Sequence, residues 1–147
     1  MSRVQLALRV SDLEASVAFY AKLFGVEPAK RRPGYANFAI AEPPLKLVLL
    51  EGEPGKPTVM DHLGVEVETS AQVDAATGRL TDAGLITLTE DDTECCYALQ
   101  DKVWVRGPGN EPWEVYVVKG DSGVGDKPMP DEACCAGDTQ SVSVGGR

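Results

Sequence analysis

A chain of 147 residues with a formal charge of −9, from 23 acids against 14 bases, suits one compact domain with a core large enough to need no disulfide staples. The acidic balance argues against nucleic-acid backbones and anionic membranes as partners. No apolar run approaches the roughly 20 residues of a membrane helix, and Met1-Ser2-Arg3-Val4-Gln5 opens without a signal-peptide core, so a cytoplasmic location is expected.

In chain order, Gln5-Leu6-Ala7-Leu8-Arg9-Val10 alternates as a strand does. A helix follows, capped by Ser11 or Asp12, carrying Val17, Phe19, Tyr20, Leu23 and Phe24, and closed by Gly25. A short strand is expected between Ala29 and Arg32, then strands at Tyr35–Ile40 and Leu45–Leu50. The pattern then repeats. His62-Leu63-Gly64-Val65-Glu66-Val67 matches the first strand, and a helix from Thr69 or Ser70 carries Val73, Ala76 and Leu80 and ends at Gly84. Strands are expected at Leu85–Leu88, near Tyr97–Leu99, at Lys102–Val105 and at Pro112–Val118. A period of about 57 residues is too long for most solenoid repeats. The expectation is therefore an α+β domain over residues 1–119, in which two βαβββ modules, roughly 1–57 and 58–119, form one curved mixed sheet with an open cleft. From Gly120 to Arg147 the composition turns to Gly, Asp, Ser, Pro and Ala, which reads as a disordered tail.

Strand alternation sorts side chains onto faces. Val4, Leu6, Leu8 and Val10 share one face and leave Gln5 and Arg9 on the other. Leu63, Val65 and Val67 leave His62 opposite; Trp113, Val115 and Val117 leave Glu114 and Tyr116 opposite. An amide, an imidazole and a carboxylate on one sheet face could hold a divalent first-row metal with open positions, approximating the 2-His-1-carboxylate triad with Gln5 in place of one His. The competing reading is a solvated strand face with a chance His, and periodicity alone favours it.

The four cysteines form two adjacent pairs, Cys95-Cys96 and Cys134-Cys135. Neighbouring Cα atoms lie about 3.8 Å apart, below the usual disulfide window of about 4.4–6.8 Å, so pairing within a doublet is strained. A reducing cytosol disfavours a bond between doublets. Adjacent thiolates suit soft ions or trivalent arsenic; free Cys is also commonly core, and for Cys95-Cys96 the two readings balance on chemistry alone. For Cys134 and Cys135, in the expected tail, a dispensable exposed pair is the preferred reading.

The two-half pattern, Asp61-His62-Leu63-Gly64-Val65, and Gly107-Pro108-Gly109-Asn110-Glu111-Pro112-Trp113-Glu114-Val115 resemble the vicinal oxygen chelate superfamily, which includes glyoxalases, extradiol dioxygenases and bleomycin-resistance proteins. The resemblance spans roughly Met1 to Lys119. It implies a metal bound on the concave sheet face by the first strand of each half and the last strand of the second, positions that Gln5, His62 and Glu114 match. Glyoxalase-type sites add a carboxylate from the last strand of the first half. Aligning Pro44–Leu49 with Pro112–Val117 puts Lys46 there, and an ammonium has no lone pair to give. Three protein ligands remain, which favours the oxygenase branch.

The Cys doublet beside such a triad, with Arg32-Pro33-Gly34-Tyr35-Ala36-Asn37-Phe38 and Asp91-Asp92-Thr93-Glu94-Cys95-Cys96-Tyr97, is similar to the organoarsenical lyases of that superfamily. The resemblance implies that Cys95 and Cys96 clamp methylarsenite or a trivalent aromatic arsenical. Iron(II) and dioxygen at Gln5, His62 and Glu114 then split the carbon–arsenic bond to give arsenite. Asp91, Asp92 and Glu94 beside the doublet oppose thiolate formation, so arsenic binding must itself drive deprotonation. Closure of this loop, with Gly84 as hinge, is a further option. The expected partner is the small-molecule substrate, bound by a monomer. Two other classes remain open: a non-catalytic cadmium- or arsenite-binding stress protein, and a ring-cleaving dioxygenase. Manganese or cobalt in place of iron stays open too.

Overall fold

The structure, a computed structural model, describes residues 2–95 and 97–121. Its element order is β1 (Arg3–Val10), α1 (Leu13–Phe24), β2 (Lys30–Arg32), β3 (Tyr35–Ile40), β4 (Leu45–Glu51), β5 (Val59–Glu66), α2 (Ser70–Asp82), β6 (Leu88–Cys95), β7 (Ala98–Arg106) and β8 (Pro112–Asp121). Two helices and eight strands thus repeat βαβββ twice, as expected for an α+β chain. Among the described residues, no helix is long and apolar enough to cross a membrane.

By contact the chain divides into two units, one of residues 3–63 and the other from residue 64 on. In the first, β1 lies between β4 and β5, and β2 and β3 continue outward from β4. The β1–β4 pairing is parallel, with Gln5 opposite Lys46 and Ala7 opposite Val48, whereas β3 runs antiparallel to β4, so the sheet is mixed. Helix α1 starts because the Asp12 side chain accepts the Ala15 backbone N–H at 3.0 Å. It stops at Gly25, whose φ of 71° is the left-handed conformation that lets its N–H reach the Ala21 carbonyl. Its Leu13 and Val17 pack onto Ala36, Phe38, Leu47 and Leu49. Burying each large side chain there contributes about 1.5–3 kcal/mol. The other side of the helix stays wet: Phe19 and Leu23, expected among its apolar positions, are both 57% exposed.

In the second unit β7 pairs antiparallel with β6 and β8. Helix α2 opens with a capping box, Thr69 and Gln72 each accepting the other's backbone N–H. It buries Val73 against Val103 and Val117.

Several boundaries differ from the sequence reading. Leu85–Thr87 is not strand, and Ile86 is 92% exposed; β6 begins only at Leu88, because no neighbouring strand pairs the earlier residues. The runs at Tyr97–Leu99 and Lys102–Val105 are one strand, β7, which holds its ladder through the polar Gln100 and Asp101. Strand β8 continues to Asp121, with Gly120 and Asp121 opposite Leu99 and Ala98, so it runs two residues into the segment expected to be tail. The rest of that segment, with Cys134 and Cys135, lies outside the described residues, as does Cys96.

Candidate functional site

In the first unit, Gln5 on β1 and His62 on β5 are both buried, at 4% and 2% exposure, and their Nε2 atoms lie 3.2 Å apart. Strand β5 begins three residues before the expected start, so His62 stands inside the strand rather than at its edge. Its Nδ1 meets Asp61 Oδ2 at 2.9 Å. A carboxylate only accepts, so the ring proton sits on Nδ1. The Gln5 amide N–H then donates to the bare Nε2, and the imidazole is neutral with its lone pair directed at the amide. Asp61 is held in turn by Arg9, whose Nε donates to Oδ1 at 3.2 Å and whose second guanidinium nitrogen lies 3.1 Å from the same atom. Lys46 is half-buried across the ladder from Gln5, the place expected from the Pro44–Leu49 alignment. Asn37, on β3 in the same unit, is buried and donates to the Tyr35 hydroxyl at 2.8 Å.

In the second unit, Glu114 on β8 is 3% exposed and its Oε1 lies 2.9 Å from Lys102 Nζ. Lys102 is itself only 2% exposed, with its ammonium 5.4 Å from the Trp104 ring centre and 5.9 Å from that of Tyr116. The β7–β8 register puts Trp104 opposite Glu114 and Lys102 opposite Tyr116, so all four share a sheet face. A buried lysine is expensive unless its charge is met, and the carboxylate and the two ring faces meet it. The sequence reading passed over Lys102. The signal was the alternation Lys102-Val103-Trp104, which places the lysine on the Trp104 side, opposite a core valine.

Cys95 ends β6 and pairs with Ala98, so only Cys96 and Tyr97 join β6 to β7. Tyr97 turns the chain with a φ of 65°. Ala98 precedes Trp104, the ladder partner of Glu114, by six residues, about 20 Å along the strand path. Of the three acids beside the doublet, Asp92 is ion-paired with Lys119. Lys119 also reaches Asp101 at 3.2 Å, and Asp101 accepts from Ser70 Oγ at 2.6 Å and from the Asp92 backbone N–H at 2.8 Å. The Ser70 hydroxyl, then the Asp92 amide, hold the Asp101 carboxyl below its ordinary pKa, while Asp92 and then Asp101 raise that of Lys119.

A concavity of about 500 Å³ lies at the amino end of α1 between Asp12, Glu14, Arg31, Arg32 and Glu51. Its Arg31 is already paired with Glu14.

The donor types fit a divalent first-row metal: a neutral imidazole with Nε2 bare, an amide beside it, and a buried carboxylate. The His–carboxylate contact at Nδ1 is the arrangement that orients metal-binding imidazoles. Among the described residues, no group of three or more His, Cys, Asp or Glu side chains gathers as a metal cluster; the first unit contributes one imidazole and one amide.

Residues 3–115 match the family model described as Glyoxalase/Bleomycin resistance protein/Dioxygenase superfamily. The chain is 70% identical over 135 residues, 92% of its length and 89% of the relative's, to a trivalent organoarsenical cleaving enzyme of Thermomonospora curvata. It is 66% identical over 122 residues, 83% of its length and 80% of the relative's, to the cadmium-induced protein CadI of Mycobacterium tuberculosis. Among solved structures, an extradiol ring-cleaving dioxygenase from B. fuscum superposes with a TM-score of 0.61 at 22% identity, over 82% of this chain and 34% of that one. On the extent of the family match and these identities, the chain belongs to the glyoxalase/bleomycin resistance/dioxygenase superfamily.

Proposed function

We propose that this protein is an iron(II)-dependent enzyme that cleaves the carbon–arsenic bond of trivalent organoarsenicals, methylarsenite or aromatic, to release arsenite. The observation that carries the reading is the buried Gln5–His62 pair, with His62 Nδ1 held on Asp61, in a chain 70% identical to an enzyme named for that cleavage. A second relative of the same name, from Bacillus sp. strain MD1, is 38% identical over 120 residues, 81% of this chain and 74% of its own.

In this reading Gln5, His62 and Glu114 hold the metal. The Gln5 amide exchanges its ends by rotating about its terminal bond and offers oxygen; His62 offers Nε2; Glu114 offers its carboxylate. Iron(II) with dioxygen supplies the redox chemistry that no side chain can. Lys102 balances the Glu114 charge and keeps that carboxylate in place while the site is dry. Cys95 and Cys96 would bind arsenic through sulfur, each thiol displacing one hydroxyl of the arsenical and its proton leaving with that hydroxyl as water, which fixes the substrate and turns an encounter into an oriented reaction. The hairpin bearing the doublet has to bring the arsenical towards Glu114. The enzyme works as a monomer in the cytoplasm, with the arsenical as its only partner.

Anaerobic loading with iron(II), then methylarsenite and oxygen, should release arsenite; release that is equally fast without iron, or no release at all, rejects the proposal. The likeness to CadI favours one second reading, a protein that sequesters cadmium or arsenite. It predicts stoichiometric retention of methylarsenite and no turnover.

A further inference from the structure

From the structure we infer that Arg9, Asp61 and Gly52 form a positioning relay that fixes which nitrogen of His62 carries the proton, and so holds Nε2 ready for a metal. The inference deepens the assignment of His62 as a ligand and rests on it only for the affinity part of the test.

The relay runs in one direction. The Glu51 carbonyl accepts from Arg9 Nη1 at 3.2 Å, Arg9 clamps Asp61 Oδ1 at 3.2 and 3.1 Å, and Asp61 turns its other oxygen, Oδ2, to His62 Nδ1 at 2.9 Å. Each oxygen of Asp61 thus has a separate task. The guanidinium brings two nitrogens to the same oxygen and pins it, which a flexible ammonium could not do as well. The carboxylate then selects the Nδ1–H tautomer, because it offers an acceptor and no donor.

Gly52 makes room for the relay. A Cβ built there would lie 2.7 Å from Arg9 Cγ and 3.3 Å from Cδ, and the Gly52 N–H is tied to the Val10 carbonyl at 2.7 Å. The crowded atoms are the middle of the arginine stem, so any side chain at 52 displaces the guanidinium from Asp61 while leaving every polar group of the relay in the sequence.

The chain contains one histidine, so nitrogen NMR of the imidazole reads a single ring. The metal-free wild-type protein should show Nδ1 protonated and Nε2 bare. Arg9→Met and Gly52→Ala should each give a mixture of tautomers and weaken anaerobic iron(II) binding, measured by chelator competition, by about 10–100-fold. Arg9→Lys should restore both in part. A wild-type ring protonated on Nε2 alone overturns the inference. So does an unchanged tautomer and an affinity within about twofold of wild type in both variants. Should the wild-type protein fail to bind iron(II) while the tautomers shift as stated, the relay stands and the metal assignment of His62 falls.

Discussion

The two units solve the same problem, buried polar side chains, in opposite ways. In the first, Gln5 and His62 are neutral and their hydrogen bonds pass outward through Asp61 to Arg9, whose side chain is 27% exposed. In the second, Glu114 carries a full charge and meets another full charge, Lys102, with side chains only 4% and 2% exposed. A relay that ends in a partly exposed Arg9 can lose that link and let water replace it. A dry ion pair cannot, because removing either member leaves a charge in a low-dielectric interior.

The largest consequence concerns stability. Lys102→Met should destabilise the fold by about 3 kcal/mol, since breaking a buried pair costs about 3–5 kcal/mol. Arg9→Met should cost under about 1 kcal/mol, as partly exposed pairs do. Denaturant unfolding of both variants measures the contrast, and equal losses would erase the distinction between the units.

The helix caps come next. Thr69→Ala removes one side of the reciprocal box on α2 and Asp12→Ala the single bond on α1; each should cost about 1 kcal/mol, with Thr69 the larger. Thermal melting of the pair would show it, and a larger loss at Asp12 would contradict the geometry.

The smallest effect is a slope with pH. Asp101 is held below its ordinary value of 3.8, so its contribution is complete above that value and lost as pH falls through the lower, folded value. Lys119 is raised above 10.5, so its share is complete below that and lost as pH rises beyond it. The stability difference between wild type and Asp101→Asn should therefore be flat through neutral pH and shrink in acid. A difference that grew on acidification would reverse the sign of the argument.

The sequence carried most of the architecture, for identifiable reasons. Asp12 and Gly25 bracket α1 by side-chain and backbone rules that act within one turn, and both ends fell where expected. The Gln5 and His62 faces followed from period-two alternation. Leu85–Thr87 misled because an apolar run signals a strand only if a neighbour pairs it. Val4, grouped with the apolar face of β1, is 47% exposed at the strand end, where packing runs out. Lys102 was missed because a lysine in a strand is ordinarily solvated; its burial depends on Glu114, Trp104 and Tyr116 from the register with β8, and register is not a local property. Arg9 was placed on the Gln5 face, yet its grip on Asp61 depends on the space that Gly52 leaves.

The central proposal is that Gln5, His62 and Glu114 are each needed to hold iron(II). Anaerobic iron(II) stoichiometry, measured on wild type, His62→Ala and Glu114→Ala, tests it most directly. One iron per wild-type chain, lost in both variants, is the predicted result; stoichiometric iron in Glu114→Ala would contradict it.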